Sequence, residues 1–343
     1  MIRSLSVNNF TILSGEHRFG LAPGLDVVIG ENASGKSHLL KLAYTLAAIS
    51  HEAAAVRPEA KEFGRMVGRK LLRVFRPGSL GRLVHHGAQE CRVAVDFGEA
   101  ACDYAFGFSA RSRSDVKLGK SPGAFLSTPA VFLPSREILS IWPGFARLYQ
   151  HHDLGFDATY FDLARALEAA PLGEAKLEPF HTLLRRLEQL IGGTLRLEEG
   201  RFLLESRRGG TLEIDLSAEG IRKLATLYRL IQNGTIREGS LLFWDEPETN
   251  LNPKLIRPVA GILTELARRG VQIVLATHSL FLLRELEILS REKRYTSVPQ
   301  RYITFSLKGG TVTVVQGDRI EEVEPVVSLE ESLEQSDRYL EME

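Results

Sequence analysis

The apolar and polar positions of the chain fall into two alternating rhythms. Ile2 to Phe10 reads as a strand, with Glu16 to Phe19 as its antiparallel partner. Leu25-Asp26-Val27-Val28-Ile29 follows as a compact β-branched run. A glycine-punctuated stretch then leads into His38–Ile49, which has helical character, and residues 51–90 continue mostly helical. Residues 91–118 read as strands with turns, and Ala130–Leu133 as a short buried-type strand. From Ile138 to Ile191 the pattern is helical but broken at Pro143, Pro171, Gly173 and Pro179. Those breaks exclude a long coiled coil, which needs an unbroken heptad seam. Leu195–Leu197 and Phe202–Leu204 form a hairpin, with Thr211–Leu216 as a third strand. Then come a helix over Gly220–Gln232, a buried strand over Ser240–Trp244, a helix over Pro253–Arg269 and a strand over Val271–Ala276. Tyr302–Leu307 and Thr311–Val315, joined through Gly309-Gly310, close the pattern as a terminal hairpin. The fold class is α/β.

Composition narrows this only a little. With 343 residues, 44% hydrophobic and 25% charged, the chain can build one large α/β domain or two smaller ones. Lys and Arg total 43 and Asp and Glu 43, so no global field draws it to nucleic acid or to an anionic membrane. Charge is nevertheless uneven. Arg57, Lys61, Arg65, Arg69, Lys70, Arg73, Arg76 and Arg82 form a basic stretch, either a solvated helix face or a polyanion-binding surface. Residues 321–343 form an acidic tail with Arg338 as its one cation. Cys91 and Cys102 lack metal-ligand spacing; their flanks, Arg92–Val95 and Asp103–Phe106, read as two strands of one hairpin, and the cysteines as reduced core or surface thiols. Met1–Val7 alternates like a strand rather than a signal peptide, and no apolar run reaches membrane-spanning length, so a cytoplasmic location without membrane is expected.

The chemistry centres on Gly30-Glu31-Asn32-Ala33-Ser34-Gly35-Lys36-Ser37, which fits the phosphate-loop pattern G-x-x-x-x-G-K-[ST]. Chance alone would give such a match in roughly one chain of this length in a hundred. The preceding strand and following helix reduce that further. Two glycines let backbone N–H groups turn around a polyphosphate. Lys36, expected to stand in solvent beside the loop, would meet the β- and γ-phosphates, and the Ser37 hydroxyl would bind Mg²⁺. The helix from His38 onward would point its positive end at the phosphates. The nucleotide contacts thus run from Gly30 to His38.

A second element completes such a site. The apolar strand Leu241–Trp244 ends in Asp245-Glu246. Asp245 suits an Mg²⁺ held at a strand end, and Glu246 suits a general base for the attacking water. The next strand ends in Thr277-His278-Ser279, one strand-helix unit further on, where ligands of α/β sheets collect.

In this order the phosphate loop, Ser217-Ala218-Glu219-Gly220, Trp244-Asp245-Glu246-Pro247-Glu248-Thr249-Asn250-Leu251 and Thr277-His278-Ser279 resemble the ABC-type ATPase head. More narrowly, the chain is similar to the soluble SMC/RecF-like branch and to the prokaryotic AAA-family ATPases of antiphage and toxin–antitoxin systems. The resemblance runs from the first strand to about residue 283. It implies a P-loop fold with an antiparallel β subdomain and a short helical insertion, binding ATP and Mg²⁺. Lys36, Glu246 and His278 would be catalytic, Asp245 the Walker B acid, Asn250 and Leu251 part of the D-loop, and Ser217 to Gly220 the signature segment that meets the partner's nucleotide. Two places depart from the pattern. The usual signature is Leu-Ser-Gly-Gly-Gln, whereas Leu216-Ser217 is followed here by Ala218-Glu219-Gly220. No glutamine marks the lid loop, and Glu137, after the Ala130–Leu133 strand, is placed there as a third Mg²⁺ ligand.

The expected organisation is one head over residues 1–320: an N-terminal lobe 1–137, a helical insertion 138–193 and a C-terminal lobe 194–320, with the acidic tail after it. The expected function is an ATP-hydrolysing homodimer, or higher even oligomer, that sandwiches nucleotide and regulates a separate effector in a defence system. A DNA-repair ATPase, for which the 57–82 stretch is the support, and an ATP-switched binding protein with little turnover are the alternatives.

Overall fold

β1 (Ser4–Phe10) and β2 (Leu13–Gly20) form an antiparallel ribbon, and β3 (Leu25–Gly30) leaves it for another sheet. α1 (Lys36–Val56) and α2 (Ala60–Phe75) follow. β4 (Glu90–Asp96), β5 (Tyr104–Ser109) and β6 (Lys117–Lys120) then extend the ribbon in the order β2-β1-β4-β5-β6. After β7 (Ala130–Leu133) the chain makes α3 (Phe145–His151), α4 (Ala158–Glu168), α5 (Glu174–Leu177) and α6 (His181–Ile191). A small antiparallel sheet of β8 (Gly193–Glu198), β9 (Arg201–Ser206) and β10 (Thr211–Glu213) comes next. The remainder is α7 (Glu219–Gln232), β11 (Leu241–Asp245), α8 (Pro253–Arg268), β12 (Gln272–Thr277), α9 (Leu280–Ser290), β13 (Gln300–Lys308) and β14 (Thr311–Gly317). This computed structural model describes residues 1–207, 209–323, 334–335 and 337–339, so most of the acidic tail lies outside the described residues.

The sheet that positions the site runs β14-β13-β3-β12-β11-β7. Its pairings are parallel except β13–β14, so β3, β12, β11 and β7 end along one edge. These strands read as continuous apolar runs because both faces are covered. Val27, Ile29, Leu242, Trp244, Ile273 and Leu275 enter the core shared with α7 to α9 and the inserted helices. Val28, Phe243, Val274 and Ala276 enter the core shared with α1, α2 and the five-stranded sheet. Trp244 is 1% exposed, and a buried side chain of that size contributes about 3–5 kcal/mol against truncation to Ala.

Two local expectations change. The terminal hairpin is present, but β13 also lies parallel to β3, pairing Ile303 with Val28, and so belongs to the central sheet. The strand expected over Thr211–Leu216 stops at Glu213 and tightens into a 3₁₀ turn over Ile214–Leu216. α9 follows the His278 turn, with Ser279 capping it through the Leu282 N–H. Cys91 sits on β4 and Cys102 just before β5; both are buried free thiols, and burial pushes the Cys91 thiol up to about 12.

The basic stretch is not one free cationic face. Lys70 is 6% exposed, and its ammonium donates to Glu52 at 2.5 Å and Asp162 at 2.8 Å. Burial pulls the Lys70 pKa down, but the two carboxylates outweigh it and hold it above the ordinary lysine value. The Tyr44 hydroxyl also donates to Asp162, at 2.8 Å, so α1, α2 and α4 meet on one carboxylate. Arg73 lies over the rings of Tyr149 and Phe161. Arg76 donates to the carbonyls of Leu154 and Phe156 and to Asp153. Arg65 and Arg69 both reach Glu62 along the solvent side of α2. The periodic cations thus divide between internal anchors and a solvated face.

Removing the Lys70 ammonium leaves the partly buried Asp162 carboxylate, and the half-exposed one of Glu52, without their cation. Lys70→Met is predicted to cost about 3 kcal/mol of stability, measured from denaturant midpoints. A loss under about 0.5 kcal/mol, typical of surface substitutions, would contradict this placement of the ion cluster.

Candidate nucleotide site

The loop after β3 owes its path to glycine. Gly30 has φ 152, and a Cβ there would stand 2.4 Å from the carbonyl oxygen of Phe305 on β13. Gly35, at φ 102, occupies the position before α1 and turns the chain into the helix. Between them Glu31, Asn32 and Ala33 are exposed, and Ala33 adopts φ 62. Ser34 is 1% exposed, and its hydroxyl has no hydrogen-bond partner among the described residues. Lys36 is not in solvent: it is 5% exposed and its ammonium donates to the carbonyls of Gly30 at 2.8 Å and Glu31 at 2.7 Å. Burial lowers its pKa, while Glu246, Asp245, Glu248 and Glu31 oppose that shift.

The parallel register brings the second half alongside. Asp245 pairs with Ala276, and Thr277 pairs with Ile29, so the loop, the acidic pair and His278 share one edge. Ser37 Oγ donates to Asp245 Oδ1 at 3.0 Å, joining the first turn of α1 to the end of β11. Burial raises the Asp245 pKa; the Ser37 bond lowers it and neighbouring Glu246 raises it further. Glu246 adopts φ 49. Its N–H donates to Ala276 O at 2.9 Å, its Oε2 accepts from Thr249 Oγ1 at 3.0 Å, and its Oε1 lies 3.3 Å from His278 Nδ1. His278 is half-exposed.

The other expected residues separate. The His38 ring meets Thr11 Oγ1 at 3.1 Å and lies against Phe75, so it faces the β1–β2 turn rather than the phosphate loop. Glu137 corrects the expectation of a third Mg²⁺ ligand. Its carboxylate is 4% exposed and accepts from Arg222 Nε at 2.7 Å and the Ser140 N–H at 3.1 Å. Its charge is thereby spent on α7. Ser217 ends the 3₁₀ turn, while α7 starts at Glu219, so Ser217 does not cap that helix. Gly220 lies in the first turn of α7, and a Cβ there would come 2.8 Å from Leu251 Cδ2 and 3.0 Å from Asn250 O. The C-terminal end of the 217–220 segment, at Gly220, therefore packs on the 250–251 loop of its own chain.

Three residues of the site escaped sequence reasoning. Glu248 accepts from Thr277 Oγ1 at 2.6 Å, and its other oxygen is buried without a hydrogen-bond partner among the described residues. Arg222 holds Glu137. Lys223 is 4% exposed and donates to Thr249 O at 2.8 Å and Glu246 O at 3.4 Å. Its pKa is lowered by burial against Glu219, Glu248, Glu246 and Asp245. Glu219 and Lys223, four apart on a helix, read in sequence as an exposed i,i+4 pair, which hides the lysine's inward direction.

Asp245 and Ser37 offer hard oxygen donors already in contact, which suits Mg²⁺ completed by substrate phosphates and water. Among the described residues no group of three or more His, Cys, Asp or Glu could hold a metal alone. The unpartnered Ser34 hydroxyl and the glycine-formed cradle fit a polyphosphate.

A glycine loop between a central strand and a helix, joined through Ser37 to an acidic strand end, gives the chain the fold of ABC-type P-loop ATPase heads. Comparison agrees. Residues 136–284 match the family model described as "AAA domain, putative AbiEii toxin, Type IV TA system". Among solved structures, the SMC head bound to the C-terminal winged-helix domain of ScpA is 15% identical. That match covers 93% of this chain and 98% of the other at a TM-score of 0.56. An SMC head with an extended coiled coil, bound to the C-terminal domain of ScpA derived from Pyrococcus furiosus, is 14% identical. It covers 98% of this chain and 99% of the other at a TM-score of 0.52. No curated protein matches the sequence. The chain is thus similar to SMC-type ATPase heads in fold. Among its described residues no helix is long and apolar enough to cross a membrane.

Lys36→Ala is predicted to weaken ATP binding by about a hundredfold or more, as expected when a buried charge partner of a phosphate is lost, while the protein stays folded. Calorimetric titration with ATP, beside a thermal melt, checks this. Unchanged affinity would remove Lys36 from the site.

Proposed function

We propose that this protein binds MgATP in the loop Gly30–Ser37 and hydrolyses it as a soluble regulatory ATPase. The Ser37–Asp245 contact carries the reading: it places the phosphate loop and the acidic strand end around one point, with Glu246 and His278 beside it. Lys36 would hold the β- and γ-phosphates, Ser37 and Asp245 would hold Mg²⁺, and Glu246 would accept a proton from the attacking water. Mg²⁺, when bound, neutralises charge on the transferred phosphoryl group. His278 orients Glu246 and meets the γ-phosphate.

We further propose that two chains close head to head. The segment Ser217 to Gly220 abuts Asn250 and Leu251 at Gly220, which leaves its serine end for the partner's nucleotide. Leu216 and Phe281, 72% and 68% exposed, flank the signature segment and the His278 turn and supply apolar contact for that closure. Closing on ATP and opening after hydrolysis follow from contacts to the γ-phosphate that only the closed state makes. The proposed organisation is a single head over 1–320, with 1–137, 138–193 and 194–320 as its parts and 321–343 as a tail. A role in a prokaryotic antiphage or toxin–antitoxin system, controlling a separate effector, is supported by the match to a family described by a toxin of that kind. Nucleic-acid binding through residues 57–82 is not part of the proposal, because Lys70, Arg73 and Arg76 are engaged within the chain.

Glu246→Gln keeps the shape of the side chain and loses its charge. It is predicted to bind MgATP at least as well as the wild type and to hydrolyse it on the order of a hundredfold more slowly, accumulating as an ATP-bound pair. Asp245→Asn is predicted instead to weaken Mg²⁺-dependent binding itself. Light scattering and phosphate release on both variants check this pair of outcomes. Wild-type turnover by Glu246→Gln would place the base elsewhere.

A further inference from the structure

We propose that Lys223 is a positioning residue for Glu246, through which the helix carrying the signature segment sets the catalytic carboxylate. The inference rests on the ATPase reading above and adds a residue to it. Glu246 stands at φ 49, a left-handed conformation that a side-chain-bearing residue holds only when its surroundings over-determine it. Three of its attachments come from its own turn and from β12 and the residue after it: the N–H to Ala276 O, Thr249 Oγ1 to Oε2, and His278 beside Oε1. The fourth comes from a different element. Lys223, on the second turn of α7, donates to the carbonyls of Glu246 and Thr249 and so bridges the two ends of the turn that presents the carboxylate. The same turn is closed from within by the Thr249 N–H donating to Glu246 O at 3.2 Å.

An ammonium at 4% exposure is a costly choice for holding two carbonyls. A neutral donor would satisfy them without desolvating a charge. The charge has a second use here, since Asp245, Glu246 and Glu248 stand near it as they do near Lys36. α7 is also tied at its start. Gly220 abuts Asn250 and Leu251, and Arg222 grips Glu137 after β7. Displacement of the 217–220 segment by a partner head therefore moves Lys223 and, with it, the carbonyl and side chain of Glu246. The device lets the catalytic turn register whether the signature segment is engaged.

The test is Lys223→Met, made alone and in a Glu246→Gln background. Alone it should lower kcat by about 30-fold, with MgATP affinity within about threefold of wild type. In the Glu246→Gln background the same substitution should cost less than about threefold, because residues acting as a unit are not additive. A kcat retained by Lys223→Met, or an equal loss in both backgrounds, overturns the proposal. If Lys223→Met does not fold, Lys223→Leu, which likewise removes the donor, replaces it under the same criteria. Wild-type protein without ATP hydrolysis would overturn the functional reading instead. Positioning is then decided by hydrogen exchange at the Thr249 amide. Exchange at least about tenfold faster in the variant supports it, and unchanged exchange rejects it.

Discussion

Three carboxylates, Asp245, Glu246 and Glu248, stand within four residues at the end of one buried strand, and the rest of the site exists to make that tolerable. Two like charges about 5 Å apart repel by roughly 3 kcal/mol at an effective dielectric of 20. Lys36 approaches the cluster from the phosphate loop and Lys223 from α7, both of them buried and both with pKa values drawn down by that burial. Ser37 takes one oxygen of Asp245, Thr277 takes one of Glu248, and Thr249 takes one of Glu246. A site that concentrates negative charge and surrounds it with donors is prepared for a cation and a polyphosphate together. The parallel register of β3, β12 and β11 makes this arrangement possible, since it ends the three strands at a common edge.

The coarse architecture was legible in the sequence because its signals are local. β3, β11 and β12 are short apolar runs buried on both faces, punctuated at the functional end by a glycine loop, an acidic pair and Thr277-His278 respectively. α8 announces itself through Asn252-Pro253, with the asparagine side chain accepting from the Lys254 N–H. What was not legible depends on pairings distant in sequence. β13 joins the central sheet beside β3, 275 residues away where Gln300 pairs with Leu25, and no local pattern distinguishes that from a free hairpin. The Glu137 side chain was misplaced for the same reason. Its partner, Arg222, is 85 residues on, and the strand end at Leu133 shows only that the residues after it stand near the site.

Lys70 and Lys223 illustrate one limit of charge reading. Each sits in a helical stretch whose spacing marks it as solvent-facing, and each is buried in the fold. Lys70 closes a junction of α1, α2 and α4 through Asp162 and Glu52. Lys223 closes the turn after β11. A long amphipathic side chain can follow apolar surface before presenting its charge, so periodicity alone does not say where the ammonium ends. The consequence reaches function. The helices that flank the central sheet are anchored by internal ion pairs and charge-assisted hydrogen bonds, so movement at the 217–220 segment reaches the catalytic turn without any new contact at the nucleotide.

The central claim is that ATP brings the signature segment of one chain onto the phosphate loop of another. The direct measurement is thiol cross-linking between an Asn32→Cys chain and a Ser217→Cys chain, the two native thiols being buried. The account predicts a cross-linked heterodimer that forms with MgATP, persists in the Glu246→Gln background and is lost with Lys36→Ala. A cross-link that forms equally without nucleotide, or none with ATP bound, would contradict it.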